Sequence, residues 1–447
     1  MLDLIAYPSE AAATRLEQIA TRKVGSAEEL EAQVRDILAD IKHNGDAALL
    51  RYTRRFDAPD FQLNQLTVSE SEIDAAYGKI DKGFLEILHA AIGNITAFHQ
   101  QQLRASWFIT KPDGSIVGQM VRPVSAAGLY IPGGRGGETP LISSVLMNGI
   151  PAVIAGVRDI ALVTPPQRDG GVNAHLLVAA REVGVTRMYK AGSAWAVAAL
   201  AYGTASMQPV DVIVGPGNIY VTLAKKLLSG EVGIDLLAGP SEILVIADHL
   251  ANPEHIAADL LSQAEHDPTA SAVLITPSVA VAQQVSQCLE TQSAVLPRRD
   301  LARQALAKYG AIFIVQQLQE AFGLANKLAP EHLELHLQDP WPWLGKVENA
   351  GAVFLGDNTP EPVGDYFAGP NHVLPTAGTA RFASALGVEN FQKKTSVVYY
   401  SREALERDAQ AIIRIAELEG LDAHAAAIRV RLSGAGRSPN SGTTPAP

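Results

Sequence analysis

The sequence predicts an α/β protein made of two consecutive Rossmann-like parallel-sheet units with helical N- and C-terminal segments. Short β-branched runs, Ile160–Val163, Val210–Val214 and Ile243–Ile246, alternate with helical stretches such as NAHLLVAAREVG and NIYVTLAKKLLSG. Strands alternating with helices imply parallel sheets joined by crossover helices. The alternation resumes after Asp248 with the strands SAVLIT, AIFIV, HLELHL and AVFLG, so a second unit follows the first. With 447 residues, 47% of them apolar, the chain has the length of roughly three ordinary domains and enough apolar surface for large cores.

Taken in order, residues 1–114 read as an N-terminal helical segment, because SAEELEAQVRDILADIKHNGDAALLRYTRRF and SESEIDAAYGKIDKGFLEILHAAIGNITAFHQQQL place apolar residues at i, i+3, i+4 and i+7. Residues 115–245 form the first α/β domain and residues 246–390 the second, although no Pro/Gly/Ser linker marks the division near residue 245. Residues 391–432 turn helical again, from Arg402 to Arg431. The Gly/Ser/Pro/Thr-rich residues 433–447 read as a disordered tail outside the chemistry.

Composition removes several function classes. A net charge of −11 with no basic run argues against nucleic acid and anionic membrane surfaces. The single cysteine, Cys288, forms no internal disulfide and no thiol cluster for zinc or iron–sulfur, so a metal must use His, carboxylate or amide ligands. No stretch reaches about 18 uninterrupted apolar residues. A soluble cytoplasmic protein is expected.

Chemistry-bearing residues gather in a few segments. Asn252 caps a helix with Pro253 in its first turn, so Asp259, Gln263 and His266 follow at i, i+4 and i+7 on one face. Such a stripe presents an amide and an imidazole to one cation; a solvated polar face is the plainer reading. Glu331-His332 stands where a helix joins a strand, and an adjacent carboxylate and imidazole suit general base catalysis, although two residues make a weak motif. In the stretch from Thr359 to Thr379, prolines and glycines freeze an irregular loop carrying Asp365 and His372, the alternative being a merely structural turn. Glu419 and His424 flank a helix end at Gly420. Two glycine-rich turns, Ile131–Pro140 and Gly215-Pro-Gly-Asn218, follow strands; the second meets a helix N-terminus, which favours anions, but lacks the third glycine of a dinucleotide fingerprint.

From about Ile5 to Leu432, the chain resembles the histidinol dehydrogenase family through GPGNIYV, EVGIDLLAGPSEILVIAD, DLLSQAEHDP, LAPEHLEL and TPEPVGDYFAGPNHVLPTAGTARF. The resemblance implies a zinc- and NAD-dependent oxidoreductase that converts L-histidinol through L-histidinaldehyde to L-histidine, the last steps of histidine biosynthesis. It implies one Zn²⁺ per subunit on Gln263, His266, Asp365 and His424, with Glu331 and His332 as the catalytic pair. Ser241, His372 and Glu419, together with the zinc ligands and His332, then contact substrate, and Tyr130 and Asn218 contact NAD. It further implies a homodimer with shared active sites, the first α/β domain on the cofactor side, the second carrying the zinc and catalytic loops, and residues 391–432 completing the partner's site.

One position departs. Where the family reads Gly-Ala-Gln with a cofactor-contacting Gln, this chain has Ser193-Ala194-Trp195. The indole is expected to pack beside NAD and substitute stacking for the amide's hydrogen bond, a wedge between helices being the other reading. A dehydrogenase of another small alcohol, of the sulfopropanediol dehydrogenase kind, and a zinc hydrolase are the rival functions. Glu419, suited to an ammonium group, speaks against a sulfonate.

Overall fold

The computed structural model describes residues 2–22, 27–133 and 139–433; most of the tail read as disordered, and Gly134–Glu138 of the first glycine-rich turn, lie outside them. The chain divides into two compact units, one of residues 1–103 and 123–392, the other of residues 104–122 and 393–447.

The strands in chain order are β1 (Leu4–Ala6), β2 (Trp107–Thr110), β3 (Ile116–Pro123), β4 (Ala126–Tyr130), β5 (Asp159–Thr164), β6 (Arg187–Lys190) and β7 (Val212–Val214). They continue with β8 (Gly233–Ile234), β9 (Glu242–Ala247), β10 (Ser271–Thr276), β11 (Ala311–Ile314), β12 (His332–His336), β13 (Ala352–Leu355) and β14 (Gln392–Tyr399).

The larger unit holds two parallel sheets, ordered β6-β5-β4-β7-β8 and β1-β11-β10-β9-β12-β13. Both are doubly wound: apart from the edge strand β1, each starts at a middle strand, β4 or β9, grows to one side, then crosses back to add β7 or β12. Their middle strands are buried on both faces, which explains continuous apolar runs such as EILVIA in place of alternation. Helices Ile142–Ala155 and Ala174–Val183 cover one face of the first sheet, and helices Ala27–Phe56 and Ser193–Tyr202 the other. Helices Pro253–Ala264 and Val279–Ser293 cover one face of the second sheet, with Glu10–Ala20 and Leu318–Leu328 on the opposite face.

The first hundred residues are not all helical. β1 pairs in parallel with β11 at the edge of the second sheet, Leu4 opposite Ile312. Three residues are too few to show a strand period, so only the pairing reveals it. The smaller unit combines the sheet β14-β3-β2 with helices Arg402–Leu418 and Asp422–Ser433. No described helix is long and apolar enough to cross a membrane.

Candidate active site

In a doubly wound sheet the crossover helices run antiparallel to the strands. Helix N-termini therefore collect at the strands' C-terminal edge and helix C-termini at the N-terminal edge. The expected site residues sort by this rule. Tyr130 ends β4 and Asn218 follows β7, at the C-terminal edge of the first sheet where its strand order reverses. Ser241 precedes β9, Gln263 lies at the end of helix Pro253–Ala264, and Glu331-His332 opens β12, all at the N-terminal edge of the second sheet.

At that second edge, buried groups interlock. The Glu331 carboxylate accepts the Glu242 backbone N–H at 2.9 Å, while the Glu331 N–H donates to the Glu242 carboxylate at 3.2 Å. Arg22 forms an ion pair with Glu242, and Ala377 N–H adds a hydrogen bond at 3.1 Å. Burial, and next the neighbouring charge of Glu242, push the Glu331 carboxyl well above the usual carboxylate range. His332 donates from Nδ1 to the Glu242 carbonyl at 2.9 Å, an arrangement that assigns the ring proton to Nδ1. Its Nε2 is then a lone-pair acceptor, buried without a hydrogen-bond partner among the described residues and 3.9 Å from Asp365 Oδ1. Burial lowers the His332 pKa, which keeps the imidazole neutral and able to accept a proton.

Asp365 comes from a short helix, Glu361–Tyr366, and not from the irregular loop expected. Pro360 and Pro362 precede or occupy its first turn, where a missing N–H costs nothing. This helix sets Glu361 and Asp365 four residues apart on one face. His332, Glu361 and Asp365 place ligand-type atoms within 4.8 Å of one another. Burial, and then Glu361, push the Asp365 carboxyl up to about 9. Glu361 was not singled out from sequence, and its spacing to Asp365 was the available signal. Glu242 and Arg22 were also missed; a lone acid opening an apolar strand was the only trace of the first.

Gln263 is almost fully buried, and neither its Oε1 nor its Nε2 has a hydrogen-bond partner among the described residues. His266 does not share its helix. The helix ends at Ala264, ahead of Asp267-Pro268, because the residue before a proline is disfavoured in helical conformation. His266 sits in the following turn, its N–H bonded to the Gln263 carbonyl at 3.1 Å, and its charge helps depress His332. The third member of the stripe, Asp259, instead meets His336 at 3.3 Å, with Glu334 on the same ring nitrogen at 3.1 Å. Glu334 also accepts the Glu361 N–H at 2.8 Å, which fixes the start of the Asp365 helix.

His372 borders a cavity of about 330 Å³ together with Asp365, Phe354 and Leu374. Burial pushes its imidazole down to about 4, and its Nε2 is buried without a partner among the described residues. Glu419 and His424 lie in the smaller unit, exposed at the turn between its two helices, with Gly420 at φ +72° closing the first.

The first sheet's crevice is different in kind. A cavity of about 820 Å³ is walled by Tyr52, Phe56, Tyr130, Trp195 and Asn218. The Tyr130 hydroxyl accepts the Ser193 N–H at 3.0 Å, and the Asn218 side-chain oxygen caps helix Ile219–Leu228 through the N–H groups of Tyr220 and Val221. Trp195 is 5% exposed and stacks on Tyr52 and Phe56 at centroid distances of 5.7 and 5.4 Å. Its indole packs between helices and also forms part of the cavity wall.

Two doubly wound sheets, one with an aromatic crevice and one with a buried carboxylate–imidazole cluster, define an α/β enzyme. The family model for histidinol dehydrogenase matches residues 20–432. The chain is 56% identical to the histidinol dehydrogenase of Desulfotalea psychrophila over 90% of its own length and 93% of that protein. It is 53% identical to that of Oleidesulfovibrio alaskensis over 96% and 99%. The crystal structure of histidinol dehydrogenase from Elizabethkingia anophelis superposes with a TM-score of 0.90 at 37% identity, covering 98% of this chain and 99% of that one. The chain belongs to the histidinol dehydrogenase family, and it is an oxidoreductase.

Proposed function

We propose that the protein oxidises L-histidinol to L-histidine in two NAD-dependent steps within the cytoplasm, with Glu331 and His332 as its catalytic residues. The observation that carries this reading is the neutral His332, whose Nδ1 is engaged by a carbonyl with the Glu331 carboxyl 3.7 Å away, and whose Nε2, without a hydrogen-bond partner among the described residues, lies beside the Asp365 carboxyl. His332 Nε2 takes the hydroxyl proton of the alcohol in the first oxidation. Glu331 then takes a proton from the water that adds to the aldehyde while His332 returns its proton to the carbonyl oxygen, and the His332 so regenerated accepts the hydroxyl proton of the resulting hydrate in the second oxidation. NAD, when bound, accepts one hydride in each step.

Gln263, His266, Asp365 and a His424 from a second copy of the chain would hold one zinc ion. The residues fit such a cation: a buried amide lacks partners, and a carboxyl beside Glu361 is driven to hold its proton where no cation offsets the charge. Bound there, zinc would supply a positive centre that fixes the substrate's imidazole and amino group. Ser241, His372 and Glu419 are assigned to substrate contacts, Tyr130, Asn218 and Trp195 to the NAD side. The chain's division at residues 114, 245, 390 and 432 follows the same assignment.

Purified protein supplied with L-histidinol should produce two NADH for each L-histidine formed. One NADH per substrate, or an aldehyde end product, would overturn the two-step reading. Mixing inactive Glu331→Gln chains with inactive His424→Ala chains should restore activity, because one shared site in each mixed dimer is then intact. No recovery after verified subunit exchange would place the whole site in one chain.

A further inference from the structure

We propose that Asp57 reads the ribose of the dinucleotide, accepting hydrogen bonds from its free hydroxyls and rejecting a 2′-phosphate; this rests on the NAD site being the first sheet's crevice. Asp57 follows helix Ala27–Phe56 directly and lines the 820 Å³ cavity together with the strand-end residues Tyr130 and Asn218. Its Oδ2 is buried and has no hydrogen-bond partner among the described residues. A buried acceptor left unpaired is costly, and it persists where a ligand supplies the missing donor.

Among the described residues no group of the wall donates to that acceptor. Rings from Tyr52, Phe56 and Trp195 make it a stacking surface, suited to a flat base and indifferent to polar groups. A ribose beside a stacked base presents two adjacent O–H donors, and a carboxylate takes both, one on each oxygen. The soft χ2 torsion of an aspartate lets either oxygen turn toward them. Burial alone pushes the Asp57 carboxyl up to about 7, which shows how little else compensates it.

A 2′-phosphate reverses each of these terms. It donates no hydrogen bond when ionised, and it carries negative charge toward Asp57 and toward Asp36 on the same wall. Among the described residues lining the cavity, the cation is Arg55, whose guanidinium lies 5.0 Å over the Phe56 ring and which a phosphate would have to recruit.

The test compares kcat/KM for NAD, NADP and deamino-NAD in the parent enzyme and in Asp57→Ser and Asp57→Asn. The parent should prefer NAD over NADP, and Asp57→Ser should raise the KM for NAD about tenfold with a smaller change in kcat, as expected for a lost charge-assisted hydrogen bond. The NADP-to-NAD ratio of kcat/KM should rise by at least about tenfold in both variants, since both remove the charge. An unchanged ratio in both variants overturns the proposal. So does a loss seen with NAD that disappears with deamino-NAD, which would assign Asp57 to the adenine amino group. Asn218→Ala separates the two levels: a normal KM for NAD there means the crevice is not the NAD site, whereas a raised KM with an unchanged Asp57 ratio removes the ribose assignment alone.

Discussion

Apart from β1 at the edge of the second, the two sheets of the larger unit share one strand order and carry their candidate residues at opposite ends of it. The first keeps an open, aromatic crevice at its C-terminal edge, where helix N-termini gather. The second buries Glu331, His332 and Glu242 at its N-terminal edge, where helix C-termini gather. The helix dipole gives this division a physical sense: partial positive charge at one edge suits the phosphates of a dinucleotide, and partial negative charge at the other suits a cation. Under the proposed assignment, a topological rule that places ligands only at C-terminal edges describes one half of this protein.

The two edges are also built differently. In the crevice, Gly215 at φ +110° packs so closely on the Tyr130 backbone that a side chain would collide with it. Both polar groups of Gly215 are held by one buried ion pair: its carbonyl accepts from Lys225 at 2.9 Å, and its N–H donates to Asp235 at 2.8 Å. Rigid backbone shapes the crevice proposed for the cofactor. In the buried cluster, side-chain networks hold the reactive groups instead, Arg22–Glu242 behind Glu331 and Glu334–His336–Asp259 behind Glu361.

The sharpest way to test this contrast is to remove chemistry at one edge and positioning at the other. Glu331→Gln should slow oxidation of histidinaldehyde roughly 10²- to 10⁴-fold while slowing oxidation of histidinol far less, because only the aldehyde step needs activated water. Equal losses in the two half-reactions would remove Glu331 as the base. Lys225→Met should leave Asp235 buried and uncompensated, costing about 3–5 kcal/mol of stability in denaturant unfolding and raising the KM for NAD in the folded fraction. An unaltered KM would mean that the ion pair holds the fold and not the crevice.

Trp195→Ala separates packing from cofactor binding. The indole is buried against Tyr52 and Phe56, so the variant should lose about 3 kcal/mol of stability, more than the stacking on a ligand base would contribute. Full retention of Tm with a raised KM for NAD would reverse that ranking.

The smallest effect concerns pH. The carboxylates Asp259 and Glu334 raise His336 to about 9 against burial, and burial raises Glu334 to about 7. Folded protein therefore keeps a proton on His336 between its ordinary 6.5 and about 9 that the unfolded chain has released. This stabilisation is complete below about pH 6.5 and is lost as pH rises through 9, an effect on the order of 3 kcal/mol at most. Unfolding midpoints of His336→Gln should fall less steeply than those of the parent over that range, and identical slopes would discard the network's role.

What the sequence determined by itself is local and periodic. Strand–helix alternation specified two doubly wound sheets, because each period depends on residues a few positions apart. The neighbourhood of several candidates was equally legible: Glu331-His332 stands where a helix joins a strand, and Asn218 lies between a strand and a helix. Spacing even offered Glu361, four residues before Asp365.

Tertiary structure decided the partners. Arg22 reaches Glu242 across 220 positions, and His332 bonds a carbonyl 90 positions away, separations over which no pattern repeats. Packing, too, was settled only in three dimensions: the aromatic stack that buries Trp195 needs helix Ala27–Phe56 laid against helix Ser193–Tyr202, and β1 exists only as the neighbour of β11. Proton affinities followed from the same burial. Composition fixes how many carboxyls a chain carries, but only the folded surroundings, by withholding water and supplying neighbours, decide which of them hold a proton.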